Sequence, residues 1–143
     1  MDQSFHYLIM VSQALFQKKI LNKLMKVGLT SGQPKVLDFL GRHNGSIQKD
    51  IAFACQIDPA TLSGILERME EKGLVERRIS NGNRRSSHVY LTESGKENSR
   101  IVEEVFREIE EEVFHGIDEK EKEQLLSILY KLCCNMTDIK ELQ

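Results

Sequence analysis

The stretch DPATLSGILERMEEKGLVERRISNGNRRSSHVYLT, Asp58 to Thr92, changes its period in the middle. Its first half sets Leu62, Ile65, Leu66 and Met69 at helical spacing, with Asp58 as N-cap, Pro59 at the first helical position and Gly73 as the stop. From Leu74 to Leu91 the pattern becomes strand-like, LVERRI then SHVYL, joined through SNGN, whose Asn81-Gly82 pair supplies the positive φ angles of a tight turn. The expectation is a well-capped helix followed by a two-stranded hairpin with arginine pairs on either side of its tip.

The elements on both sides are helical. Upstream, IQKDIAFACQI predicts a helix of about two turns with Ile51, Ala52 and Cys55 inward. Before it, GLTSGQPKVLDFLGRH predicts a helix ending near Gly41, with Thr30 as N-cap, Gln33 completing a capping box, and Val36, Leu37, Phe39 and Leu40 as the apolar face. A long first helix runs from Phe5 to about Val27 on Leu8, Val11, Leu15, Phe16, Ile20, Leu24 and Met25. Downstream, Thr92 caps a charged helix in which Ile101, Val105, Ile109 and Val113 recur every four residues. Gly116 breaks it, and Asp118 with Glu121 opens a last helix whose face is Leu125, Leu126, Ile128, Leu129, Leu132 and Met136. The fold class is therefore mainly α with a small β-hairpin wing: a winged helix-turn-helix core plus N- and C-terminal dimerisation helices.

Composition narrows the function. The chain has 143 residues, 40% hydrophobic and 29% charged, the size of one globular domain. No apolar run suits a membrane span and the N-terminus lacks a signal-peptide pattern, so a cytoplasmic protein with no membrane partner is expected. Net charge is −2, but residues 1–29 hold four Lys against one Asp, whereas residues 101–143 hold five Lys/Arg against twelve Asp/Glu. A local basic face therefore survives beside an acidic end, and local charge is what a polyanion meets. His6, His43, His88 and His115 are scattered with no nucleophile-base arrangement, which argues against an enzyme. Cys55, Cys133 and Cys134 have no metal-ligand spacing, so neither metal nor cofactor is expected. Cys55 falls on an apolar face, as a structural thiol would; Cys133 and Cys134 remain candidates for a redox switch.

Two helices joined by a short turn can place the second in a major groove. The helix from Pro59 presents Ala60, Thr61, Ser63, Gly64, Glu67 and Arg68 opposite its apolar stripe, mostly small side chains that permit close approach to base edges. A two-stranded hairpin must lean on the helices, so its tip projects as a wing, with Asn83, Arg84, Arg85, Ser86 and His88 on the DNA side and arginine suited to a narrow minor groove. Gln48 and Lys49 are assigned to the DNA backbone. Phe5, Tyr7, Leu8, Val11, Leu126, Leu129 and Leu132 exceed what so small a core can cover, which points to a homodimer interface.

These segments, above all GLTSGQPKVLDFL, QKDIA, IDPATLSGILERMEEKGLVERR and NRRSSHVYLTESGKE, resemble the MarR family of winged-helix transcription regulators over nearly the whole chain. The resemblance implies a single domain over 1–143, with dimerisation helices in 1–28 and 116–143, the winged helix-turn-helix in 30–92 and a linking helix in 93–115. It also implies a recognition helix from Pro59 to Lys72, Arg85 in the minor groove, and a homodimer on inverted-repeat double-stranded DNA, usually a repressor released by a small-molecule effector or stress signal. Between the dimer helices and the winged helix, Phe5, Tyr7, Phe16, Phe39 and Phe106 are candidate effector-pocket linings. Two positions depart from the family pattern. Asn83 replaces an Asp, so an ionic brace on Arg85 becomes a neutral hydrogen bond, weaker by roughly a factor of two. Gly64 replaces an Arg after the recognition-helix serine, at a cost in helix propensity of about 1 kcal/mol against Ala. The alternatives are a thiol-based redox regulator and a winged helix used only for protein interaction.

Overall fold

A computed structural model describes residues 2–79 and 86–138 of the chain. Helix α1 (Phe5–Leu24) runs into a short 3₁₀ turn (Met25–Val27) that stops at Gly28, which adopts φ 80°. Helix α2 (Gln33–Arg42), strand β1 (Ser46–Ile47), helices α3 (Gln48–Cys55) and α4 (Pro59–Glu71), strands β2 (Val75–Arg78) and β3 (His88–Leu91), helix α5 (Glu93–Val113) and helix α6 (Glu119–Met136) follow.

The sheet is antiparallel with order β1-β3-β2, and Val75 pairs Leu91 while Arg78 pairs His88. The hairpin expected from the sequence thus has a third strand: Ser46 and Ile47 pair Val89 and His88. Two residues carry no detectable period, so β1 exists only because β3 offers it a free edge.

The core lies between α2, α3, α4, the sheet and α5. Leu37, Leu40, Ile51, Leu62, Leu66, Met69, Val89 and Val102 are all fully buried. The expected stripe on α4 is buried throughout, and Asp58 caps the helix by accepting from the N–H groups of Ala60 (3.1 Å) and Thr61 (3.3 Å). Those bonds satisfy two of the orphan donors of its first turn. Thr92 caps α5 by accepting from the Gly95 N–H at 3.0 Å, and its hydroxyl donates to the Gly73 carbonyl at 2.6 Å. One threonine therefore ties the exit of α4 to the start of α5. Gly95 is required beside it, because any side chain there would strike the Leu74 carbonyl oxygen.

Two local expectations are corrected. Gln33 does accept from the Thr30 N–H at 3.2 Å, but α2 begins only at Gln33, with Gly32 at φ 87° in the cap position and Thr30 outside the helix. Gly32 turns the chain in a left-handed step that a Thr30-capped helix could not contain. On α5 the buried large apolar residues are Val102 and Ile109, with Ile101 and Val105 at the core edge and Val113 exposed. A strict four-residue repeat drifts about 40° per step around a helix, so it leaves the core face within three steps.

The end helices differ from this core. Lys19 and Lys23 of α1 pair with Glu112 at 3.2 and 3.1 Å, and Lys23 also pairs with Glu108 at 3.4 Å on α5. Those contacts hold Lys23 above, and Glu112 below, their usual titration ranges, chiefly through the hydrogen bond between them. Helix α6 keeps its Asp118–Glu121 capping box but buries none of its residues. No described helix is long and apolar enough to cross a membrane.

Candidate nucleic-acid interface

The start of α4 stands at one wall of an open cleft of about 800 Å³. Pro59, Ala60 and Ser63 line it from α4, Gln48 and Lys49 from the start of α3, and Ser86 and His88 from the approach to β3. Seven site residues chosen from sequence thus converge on one concavity from three separate elements. Thr61, Glu67 and Arg68 lie outside the cleft lining but are exposed on α4, as are Pro59, Ala60 and Ser63, while Gly64 is half-buried. Lys49 is exposed and lines the cleft. His88 donates from Nδ1 to the Gly45 carbonyl at 2.9 Å, a bond that fixes that nitrogen as the protonated one. Asn83, Arg84 and Arg85, with the Asn81-Gly82 tip, lie outside the described residues.

Gln48 is not an open contact. It is buried, its backbone N–H donates to the Ser87 carbonyl at 3.3 Å, and its side-chain Nε2 donates to Ser63 Oγ at 2.7 Å. Its Oε1 accepts from Arg77 Nη1 at 3.3 Å. The geometry makes Gln48 a bracket behind α4, with Lys49 as the exposed neighbour.

Arg77 belongs to the arginine pair that precedes the hairpin tip, and it points inward. Its side chain is 7% exposed, with Nε 2.7 Å from Glu70 Oε1 in an ion pair whose N–H is poorly aligned, and Nη2 donating to the Ser63 carbonyl at 3.4 Å. Strand alternation carried the missing signal: Val75 is buried, Glu76 exposed, and Arg77 returns to the inner face. Arg78 turns outward, its guanidinium 4.0 Å from the centre of the Tyr90 ring, a cation–π contact. The first arginine pair is therefore engaged within the fold, Arg77 with Glu70, Gln48 and Ser63 and Arg78 with Tyr90.

The other candidate residues separate cleanly. Phe5, Leu8, Leu126 and Tyr7 are exposed at 61, 39, 52 and 37%, and Val11, Leu129 and Leu132 are half-buried. Phe16 and Phe106 meet in a recess of about 220 Å³ between α1, α2 and α5, with Ile20, Pro34 and Lys35, whereas Phe5, Tyr7 and Phe39 do not line it. Cys55 is buried, and burial pushes its thiol up to about 11; Cys133 and Cys134 are exposed. Among the described residues no cluster of His, Cys, Asp and Glu could hold a metal ion.

Comparisons with known proteins agree with this geometry. Residues 27–86 match the model of the MarR family. The chain is 26% identical over 132 residues to the HTH-type transcriptional regulator BilQ of Clostridium symbiosum (strain WAL-14163), covering 92% of each. It is similar to MepR of S. aureus in a MepR–DNA complex, with TM-score 0.84 and 27% identity over 95% of this chain and 100% of that one. Another MepR structure, described as a transcription regulator of the S. aureus multidrug efflux pump MepA, gives the same 27% identity over 94% of this chain and 99% of that one, but a TM-score of 0.67. Buried stripe, wing strands, exposed α4 and these likenesses together make residues 27–86 a MarR-family winged helix-turn-helix, in a chain similar over nearly its whole length to transcriptional regulators.

Proposed function

We propose that this regulator is a homodimeric repressor that inserts α4 of each subunit into the major groove of an inverted repeat and each wing into the flanking minor groove. The observation that carries this reading is the exposed start of α4. Ala60, Thr61, Ser63 and Gly64 offer little bulk, the opposite face is buried, and the positive end of the helix dipole faces the cleft beside Lys49. The better fit to MepR in its DNA complex supports an arrangement of the helices compatible with a duplex.

Two further parts of the reading have support of their own. The unburied apolar residues of α1 and α6 favour pairing with a second copy, which in a two-fold dimer separates the recognition helices by one DNA turn of about 34 Å or a multiple of it. The recess holding Phe16, Phe106 and Lys35 favours a small aromatic or anionic effector where α1 meets the winged helix. Fluorescence anisotropy with duplex DNA flanking the protein's own gene tests the proposal. Arg84→Ala and Arg85→Ala are each expected to weaken binding by about 1–3 kcal/mol and to reduce the salt slope by about 1. Binding left unchanged by both would remove the wing from the mechanism.

A further inference from the structure

Arg77 reaches from β2 to the inner side of α4 and meets that helix at two points. Its Nε lies 2.7 Å from Glu70 Oε1, and its Nη2 donates to the Ser63 carbonyl at 3.4 Å. Residues seven apart on a helix lie about 10 Å from each other along the axis and within about 20° of the same face. One planar guanidinium held by both therefore fixes how far α4 slides past β2 and how far it turns about its own axis. A third contact brings in the start of α3: Nη1 donates to Gln48 Oε1 at 3.3 Å, and Gln48 Nε2 donates to Ser63 Oγ at 2.7 Å. The Gln48 backbone N–H donates to the carbonyl of Ser87, the residue before β3, at 3.3 Å. Both strands of the wing are thus tied to α4 through one junction. Gln48 and the Arg77 side chain are each 7% exposed, which keeps solvent from replacing these bonds.

Stability alone does not account for a charge placed there. Taking a guanidinium out of water costs about what its pairing returns, and apolar side chains of similar volume commonly hold a fold as well. What apolar packing lacks is direction. We propose that Arg77 is a positioning residue for DNA binding, which holds the wing and α4 in the one mutual arrangement that lets both reach their grooves. The inference rests on the reading that α4 enters the major groove and the wing the minor groove beside it. Those grooves lie on either side of a phosphate backbone, so a wing free to tilt on α4 is correctly aimed for only a fraction of the time. Its share of the affinity falls with that fraction. Lysine does not replace arginine in this role, because a single ammonium lacks the planar fork that meets Glu70, Ser63 and Gln48 together.

The test is a mutant cycle on the affinity of the full chain for duplex DNA flanking its own gene. Arg77→Met combined with Glu70→Met removes both charges and keeps apolar volume, so thermal melting is expected close to the parent's. Arg77→Lys keeps the charge and loses the fork. Each change is expected to weaken binding by about tenfold, the worth of one groove contact. Both are then made in a chain carrying Arg84→Ala and Arg85→Ala, at low salt, where its binding stays measurable. With no wing contact left to position, each is expected to cost less than about twofold. Parent affinity in the paired methionine variant or in Arg77→Lys overturns the inference. So does an equal loss with and without the wing arginines, which marks a general fault in the fold rather than a misplaced wing. If the paired methionine variant melts well below the parent, Arg77→Lys carries the cycle alone. If Arg84→Ala with Arg85→Ala leaves affinity unchanged, the wing reading itself fails and takes this inference with it, an outcome distinct from a wing that binds DNA without help from Arg77.

Discussion

Helices α4 and α6 carry equally regular apolar stripes and use them in opposite ways. On α4, Leu62, Ile65, Leu66 and Met69 are 0–4% exposed. On α6, Leu125, Leu126 and Ile128 are 42, 52 and 55% exposed, and no residue of the helix is buried. A stripe shows that a helix needs a partner, and only the fold shows whether this chain provides one. Helix α4 finds its partner in α3, β2 and the rest of the core; α6 leaves its own for another surface, which we assign to a second copy.

The sharpest way to break this contrast is to truncate one side chain on each helix. Leu66→Ala is expected to cost about 2–5 kcal/mol in denaturant unfolding, the loss typical of a cavity in a closed core. Leu126→Ala should leave the unfolding of an isolated subunit within about 0.5 kcal/mol of the parent, since it removes little buried area. Equal losses would mean that α6 packs within its own chain.

The next largest effect tests the second copy. Leu126→Glu places a charge in the proposed interface, and light scattering is expected to report monomer where the parent is dimeric. DNA affinity should fall with it by on the order of a hundredfold, because two linked half-site contacts become one. A dimer that survives the substitution would move the interface elsewhere.

Smaller effects probe the start of α4 and the three thiols. Asp58→Ala removes the cap from the Ala60 and Thr61 N–H groups and is expected to lower stability by about 1 kcal/mol in the same unfolding assay. The thiols give the mildest contrast. At pH 8, Cys133 and Cys134 should react with an aromatic disulfide reagent within mixing time, while Cys55, buried and held up to about 11, should react only as the protein unfolds. The same shift has a defined sign: the folded state keeps the thiol protonated, so its contribution to stability is full below pH 9 and declines as pH rises from about 9 to about 11. Fast labelling of Cys55 in the native state would revive the redox alternative.

Much of the site could be read along the chain because its signals are local. Asp58, Pro59 and Gly73 mark α4 by cap and stop chemistry, and Thr92 marks α5; all four behave as their types predict. Lys49, Ala60 and Ser63 could be selected by position and then proved to share one cleft. What local signals missed is instructive. Gln48 was assigned to the DNA backbone, yet its amide is taken up by Ser63 and Arg77, residues 15 and 29 positions away. Strand β1 was missed because two residues cannot show alternation, and its pairing depends on β3, more than forty residues downstream.

The sequence by itself determined the elements: where helices start and stop, which stripe each must cover, and that a hairpin separates the fourth helix from the fifth. Those depend on φ preferences, cap hydrogen bonds and hydrophobic period, all set within a few residues. Only the tertiary structure decided which arginine of the first pair turns inward, which way the Gln48 amide faces, and that α6 remains uncovered. Each of these is fixed by a contact, or the lack of one, between segments far apart in the chain, and no local spacing encodes the meeting.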